Sequence, residues 1–447
     1  MLEGAIQRLI QRDKVALISL NRRNNPTLLS IRYIKEPLMA NSTLTSSVIT
    51  KRAILELKNA MVLLDKVDRQ YDSNFTKKVG DTVGVRKRVM YSAVSGADIT
   101  GAINDTIEGK VNLTLDQFKS VPMQFDSTEL TLDIDDFSER YIRPAMIELA
   151  QQVESEIADQ YKKIWNWSGT PGTAPATFLV LGAAGVQLDD GAVPMNDRCG
   201  FFTPNASLQL ANGLRTVFPA QIAIKAIEKA LIAEYAGFML YKSQSLKVHT
   251  VGAHGGTPLV NGAAQNVTAL ASKDGYTQSL ITDGWTNSIT GILLEGDVFT
   301  IAGVNSVNPR TKQDTGALQN FVVRADATSG ATTGPATLTI APAIVTTGPY
   351  QSVTAAPADN AAITVKTGTA STGYAQNMLF HKDAIAVAFA KLEKPRGNVE
   401  YGQESMDGVS VRMVADYNVL TDTNVFRFDI LFGVETLVPA AAARITS

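Results

Sequence analysis

The chain has 447 residues, with 41 Lys or Arg against 43 Asp or Glu and a formal net charge of -2. That near-neutrality excludes a dedicated nucleic-acid binder, whose footprint is a basic excess, while leaving room for a local basic patch. The single Cys199 excludes an intrachain disulfide framework, and no apolar run reaches the ~18 residues needed to cross a bilayer.

Charged residues make up only 19%, below the roughly 25% of an ordinary soluble domain. A surface so sparing in charge fits one largely covered by neighbours. Residues 1–38 stand apart, with seven Lys or Arg against three Asp or Glu. Three readings compete for them. A secretory signal lacks an evident small-residue cleavage site. A basic arm touching nucleic acid or a partner is the second. The third is a leader ahead of a natural start at Met39, favoured by the ordinary opening Met39-Ala40-Asn41-Ser42.

Within an N-terminal arm over 39–76, a helix is expected from Ser46 to Lys66, where Ile49, Ala53, Ile54, Leu57, Met61 and Leu64 share a face. Residues 77–130 read as a long two-stranded ribbon. Val83, Val85, Val89, Tyr91 and Ala93 alternate at strand period, interrupted by Arg86, Lys87 and Arg88. SGADITGAINDTIEGK is a turn-rich tip, and KVNLTLDQF returns with Val111, Leu113 and Leu115. A lone two-stranded ribbon is marginal in water, so cover is expected from an adjacent copy of the protein in preference to its own domain.

Residues 131–167 carry the clearest helix. Ile142, Met146, Leu149, Val153, Ile157, Tyr161 and Ile164 form one stripe, with Glu148, Gln152, Glu154, Glu156, Asp159 and Lys162 over much of the rest. Pro144 belongs in the first turn, after a short acidic lead-in helix over Asp135–Ile142. A helix from there to Trp167 would be roughly 36 Å long at about 1.5 Å per residue, a spine for the other elements.

In 168–252, GTPGTAPATF and LGAAGVQLDDGAVP read as loops. A strand and a helix from near Pro204 follow in CGFFTPNASLQLANGL. Ile222–Ala236 reads as a helix with Ile224, Ile227, Leu231 and Tyr235 on one side, and FMLYKSQSLKVHTV as a strand. From about Ala253 to Gly373, Gly, Thr, Ala, Ser and Asn dominate, with short strands such as GDVFTIAGV, NFVVRADA and ATLTIAP between turn signals. That is an inserted all-β domain, 253–373, a small barrel or sandwich. Strands in MLFHKDAIAVAFAKL, GVSVRMVADYNVLTDTN and FRFDILFGVETLVPAAAARI rejoin the first domain over 374–424 and 425–447. Asp422-Thr423 opens a short connection before the last of them.

No catalytic constellation is visible. His249 and His254 are five apart, which is not a helical metal pair, and no HExxH is present. Cys199 reads as a buried structural thiol. No G-x-S-x-G surrounds a serine. Asp133, Asp135 and Asp136 are explained by helix-start capping, and Asp189-Asp190-Gly191 by a turn. No catalytic residue, metal or cofactor is expected.

The order of pieces is arm, basic ribbon, spine helix, mixed region, inserted β-domain and returning strands. IDDFSERYIRPAMIELAQQVESEIADQ, CGFFTPNASLQLANGL, AEYAGFMLYKSQSLKVHT, GDVFTIAGV, NMLFHKDAIAVAF and FRFDILFGVETLVP stand in that order over 39–447. This resembles the major capsid proteins of tailed phages, of α+β Hong Kong 97-type fold. The closer likeness is to coat proteins of short-tailed phages that carry an inserted β-domain.

The resemblance implies an icosahedral shell of hexamers and pentamers holding double-stranded DNA, with a scaffolding protein and a portal as partners and assembly in the host cytoplasm. It implies that 77–130 is an extended loop laid across a neighbour, that 39–76 reaches another, and that 131–167 with 374–424 is a peripheral domain. It places 168–252 and 425–447 at the capsomer centre, with the insert on the outer surface or bracing the fold. The intersubunit contact then expected pairs Lys77, Lys78, Arg86, Lys87 and Arg88 with Glu148, Glu154 and Glu156 of a neighbouring spine. The rivals are a tail or fibre subunit, and a hydrolase using Asp133, Asp189 or Asp190.

Overall fold

The computed structural model describes residues 46–72, 75, 80–93, 105–126, 138–214, 234–235, 237–397 and 399–446. The expectations on 1–38, on the ribbon tip over 94–104, on the lead-in helix before Ser138 and on most of Ile222–Ala236 lie outside them. Glu234–Tyr235, expected in that helix, is a short strand.

Helix α1 (Ser46–Ala60) and the spine helix α2 (Arg143–Asp159) form within the predicted stripes, although α1 ends at Ala60, short of the expected Lys66, with a separate 3-10 turn over Leu64–Lys66. Ile49, Ala53 and Leu57 of α1 and Met146, Leu149, Val153 and Ile157 of α2 are buried in one cluster. Pro144 occupies the first turn of α2, where its missing N–H breaks no hydrogen bond. The spine is shorter than the stripe suggests. A 3-10 turn over Gln160–Lys163 follows, and Trp167 lies on a strand, β4 (Asn166–Ser168). Trp165 and Trp167 pack against Val298, Val322 and Ala341 of the insert, a tertiary contact that outweighs helical propensity.

Two sheets build the body. In the first, β16 (Ile385–Ala390), β19 (Thr423–Thr436), β18 (Val409–Asn418) and β17 (Glu400–Met406) lie in that order, and β3 (Gln117–Asp126) also pairs with β19. Its Val411, Met413, Phe428, Ile430 and Phe432 meet the stripes of both helices in one core. In the second, the order is β4, β20 (Ala442–Thr446), β15 (Gly373–His381), β5 (Arg198–Phe202), β7 (Phe238–Lys242) and β6 (Glu234–Tyr235), with β8 (Val248–Thr250) on β15. Residues 374–424, expected together, are thus divided between the sheets, and 425–447 holds two strands that go to different sheets. Asn418–Thr423 turns the chain from β18 into β19, and the last strand is β20.

LGAAGVQLDDGAVP, expected as a loop, is instead helical as far as Asp190, within helix α3 (Phe178–Asp190). Leu181, Ala184 and Leu188 are its buried face. Gly182 and Gly185 mask the helical pattern, and a Cβ on Gly185 would sit 3.4 Å from the Phe238 ring. Helix α4 (Pro204–Leu214) begins at the expected proline.

The insert is one antiparallel sheet: β14 (Ile363–Val365), β11 (Val298–Val307), β12 (Asp314–Val323), β13 (Ala336–Ala341), β10 (Gln278–Trp285) and β9 (Gly256–Val260). A bridge from Leu259 to Ala362 joins its two edges, so the sheet closes into a barrel around Leu280, Phe299, Ile301, Phe321, Leu338 and Ile340.

The ribbon pairs β1 (Thr82–Arg86) with β2 (Lys110–Thr114) in antiparallel register. Residues 87–93, expected to continue the strand, form none. Its base is covered by its own chain: Leu113 is buried with Ala386, Ala388 and Leu437, and Val85, Val111 and Leu115 pack beside it. This corrects the expectation that all its cover comes from another copy. The apolar edge left by β16 and the segment before β20 is within reach of β2 at home.

Candidate assembly interface

Past the end of β1 the exposure still alternates: Arg86 and Arg88 are exposed and Lys87 is half-buried. Arg86 Nη1 lies 3.5 Å from Glu108 Oε2 across the ribbon, with the two side chains 80% and 54% exposed. Arg88 Nη2 reaches Asp383 Oδ2 of the body at 2.5 Å, and its side chain is 71% exposed. Ion pairs this wet contribute about 0–1 kcal/mol, so neither fixes the ribbon alone. Lys87 is half-buried, its ammonium 3.4 Å from the ring centroid of Tyr276. Burial pulls it down to about 8, opposed by the charge of Asp274. Lys77 and Lys78 lie outside the described residues.

The three spine acids have separate fates. Glu148 is exposed and accepts from Gln152 Nε2 one turn on, at 3.0 Å. Glu156 accepts from Lys119 Nζ of β3 at 2.7 Å. Glu154 is 7% exposed. Its Oε1 accepts the backbone N–H groups of Val62 and Leu63 at 2.5 and 3.0 Å, and its Oε2 accepts from Ser245 Oγ at 3.2 Å. It therefore holds the end of the arm against the spine. Within one chain, Arg86, Lys87 and Arg88 meet none of these three acids.

The partners the ribbon does find were invisible in the sequence. Lys110 N–H donates to Asp274 Oδ1 at 2.9 Å. Tyr350 Oη donates to Ile107 O at 2.7 Å and accepts from Met90 N–H at 3.2 Å. These residues lie 164 to 260 positions from the ribbon, in turns of the insert that show only turn chemistry.

A second polar group joins the insert to the spine. His249 Nε2 pairs with Asp297 Oδ1 at 2.9 Å, and Tyr161 Oη meets His249 Nδ1 at 3.1 Å. Thr367 Oγ1 and the N–H groups of Gly252 and Leu294 also donate to Asp297. Burial alone would raise Asp297, but the His249 hydrogen bond and charge and the two amides bring it below the usual carboxylate range. Arg444 is fully buried, with Nη2 donating to Gly296 O at 2.8 Å and its guanidinium beside the rings of Tyr161 and Trp167. Its signal in the sequence was a lone cation in the apolar run AAAARI. His249 is 3% exposed and Asp297 is 0% exposed, so this Tyr-His-Asp chain is sealed from any substrate and acts as a joint.

Of the carboxylates proposed for hydrolysis, those described are engaged or packed at the end of one helix. Asp189 pairs with Arg198 at 2.7 Å at the end of α3, Asp190 is half-buried beside it, and Asp133 lies outside the described residues. An open hollow of about 680 Å³ is lined by Asp65, Asp68, Asp72, Asp383 and Asp407, interleaved with Arg69 and Lys382. Four of the five are held by structural contacts: Asp68 by Gln70, Asp72 by Phe389 N–H, Asp383 by Arg88 and Asp407 by Lys58. Among the described residues no group of three or more His, Cys, Asp or Glu is placed to hold a metal ion. No helix among them is long and apolar enough to cross a membrane.

Comparison with known proteins gives three results. No curated protein matches the chain significantly. Among solved structures, Mycobacterium phage Che8 aligns over 86% of this chain and 90% of its own at 13% identity and a TM-score of 0.47. The capsid of cyanophage P-SCSP1u aligns over 86% and 87% at 11% identity and a TM-score of 0.43. The CUS-3 coat protein I-domain is 34% identical over 25% of this chain and 97% of its own, with a TM-score of 0.19. The family described as "P22 coat protein - gene protein 5" matches residues 39–444. The chain therefore belongs to the P22 coat protein family: it is a tailed-phage major capsid protein of α+β, Hong Kong 97-type fold, a structural subunit of the virion whose copies assemble into a shell.

Proposed function

We propose that copies of this chain close into an icosahedral shell of hexamers and pentamers around double-stranded DNA, assembled in the host cytoplasm with a scaffolding protein and a portal as partners. The observation that carries this reading, beside the family, is the ribbon. It lies outside both body sheets and turns Arg86 and Arg88 into solvent at 80% and 71% exposure. A heterologous contact repeated around a closed ring builds such an assembly.

In this reading the five-stranded sheet with α1 and α2 is the peripheral region. The sheet of β4–β8, β15 and β20 with α3 and α4 is the capsomer centre, and the barrel stands on the outer surface. The ribbon's exposed arginines meet a neighbouring spine at Glu148. That acid has no cation of its own among the described residues, whereas Glu154 and Glu156 are already engaged. Contact with DNA is weak and non-specific, because a net charge of -2 offers little for phosphate neutralisation.

Negative-stain microscopy of the purified chain, alone and with a scaffolding partner, tests the reading. Uniform shells are expected, and a monomer under every condition would sink it. For the contact, Arg86→Glu should lower the salt concentration at which shells assemble, and adding Glu148→Lys should restore it. Unchanged salt tolerance in the single variant removes the pairing.

A further inference from the structure

The ribbon is gripped by the insert of its own chain at two separate turns. On one side, Lys110 N–H donates to Asp274 Oδ1 at 2.9 Å, and Lys87 lays its ammonium on the Tyr276 ring at 3.4 Å. Gly109 makes this approach possible, since a Cβ there would fall 2.0 Å from the carbonyl oxygen of Lys273. On the other side, Tyr350 uses one hydroxyl twice. It donates to Ile107 O and accepts from Met90 N–H, so it ties together the two arms of the ribbon. Tyr276 is itself pinned, donating from Oη to Leu437 O at 3.1 Å and packing edge-on to Trp165. The grip thus runs from ribbon to barrel to the end of the spine.

We propose that the insert is the ribbon's clasp, with Asp274, Tyr276 and Tyr350 as positioning residues that set the angle at which each subunit offers its ribbon to a neighbour. A two-stranded ribbon is marginal alone, and among the described residues its base is covered by the small apolar cluster around Leu113. Without the clasp the arms beyond that cluster swing, and an assembly contact made at a swinging arm loses its direction. Holding the arm beforehand removes that ordering cost from the association step. The role in assembly rests on the shell reading, whereas the grip itself is a property of the single chain.

The test separates the two. In the unassembled full chain, hydrogen exchange is followed over 82–93 and 105–114 for the native protein, Tyr350→Phe and Gly109→Val. Tyr350→Phe keeps the ring and loses both hydrogen bonds, and Gly109→Val wedges the approach. At least a tenfold faster exchange in the ribbon is expected, with the barrel core around Phe299 and Phe321 unchanged. Ribbon protection equal to that of the native chain in both variants overturns the clasp. Under assembly conditions the same variants should give misshapen or no shells; normal shells from chains with a loosened ribbon would overturn the role in assembly and leave the shell reading intact.

A cross-link checks that the clasp acts within one chain. Lys110→Cys with Lys273→Cys, which leave the backbone contacts of the grip in place, joined by a short bifunctional maleimide, should yield linked monomers both before and after assembly. Chain dimers formed on assembly would instead show that the ribbon has moved to a neighbour's insert. Cys199 is buried, with its thiol pushed up to about 12 by that burial, so it does not compete for the reagent.

Discussion

Glu154 shows how a charged position on the spine can be structural. Its carboxylate is the acceptor for two backbone amides of the segment after α1. Truncation to alanine leaves the Leu63 amide buried without a partner, at about 1–3 kcal/mol, while the amide of Val62, a residue 40% exposed, can turn to water. Glu154→Ala should therefore lower the unfolding free energy of the body by about 1–3 kcal/mol in chemical denaturation, and Glu154→Gln, which keeps an acceptor oxygen, should lose much less. Asp297 gives a pH signature. Its carboxylate lies below the usual range when folded, so the unfolded chain binds the proton first as pH falls. Its contribution is complete above about pH 4, the ordinary carboxylate value, and is lost as pH falls through the folded value. Limited proteolysis at the 253–256 joint should be flat from neutral pH to about 5 and rise below about 4. Asp297→Asn should remove that rise and leave the joint more easily cut at neutral pH.

Among elements, α2 separates burial from exposure one residue step at a time. Leu149 is 0% exposed and Ile147 is 44% exposed on the same helix. Leu149→Ala removes buried methyls and leaves a cavity, an expected cost of about 2–5 kcal/mol. Ile147→Ala should stay within about 0.5 kcal/mol of the native chain for stability. If instead Ile147→Ala assembles poorly while folding normally, its apolar side chain is used between copies. Helix α3 is the element least readable in advance. Its glycines break the apolar pattern, yet Leu181, Ala184 and Leu188 are buried with Phe202, Phe238 and Leu379 of the sheet beside it. The partners that hold the helix lie on other strands, and no window of local sequence contains them.

For the whole molecule, the charges on the ribbon are few and wet, so each pair adds about 0–1 kcal/mol. Their effect grows only by repetition around a ring and fades as salt screens it over about 10 Å at 0.1 M. Arg86→Glu alone should accordingly move the salt dependence of assembly and the added Glu148→Lys should bring it back, both leaving the melting of the free subunit unchanged, read by light scattering and by calorimetry in parallel. A change in subunit melting with no change in assembly would place these residues in the fold and not between copies.

What could be read directly from the residues were the features with a local cause. The stripes of α1 and α2 follow from helical period, Pro144 and Pro204 from the proline's missing N–H, and the insert from a composition that alternates short strands with turns. The order of these pieces already resembled the coat-protein family. The tertiary structure decided what depends on distant partners: where the spine stops, that Glu154 is buried, that the barrel closes through Leu259 and Ala362, and that the base of the ribbon is covered at home. In each case the free energy comes from groups far apart in the chain, and periodicity carries information only about neighbours along it.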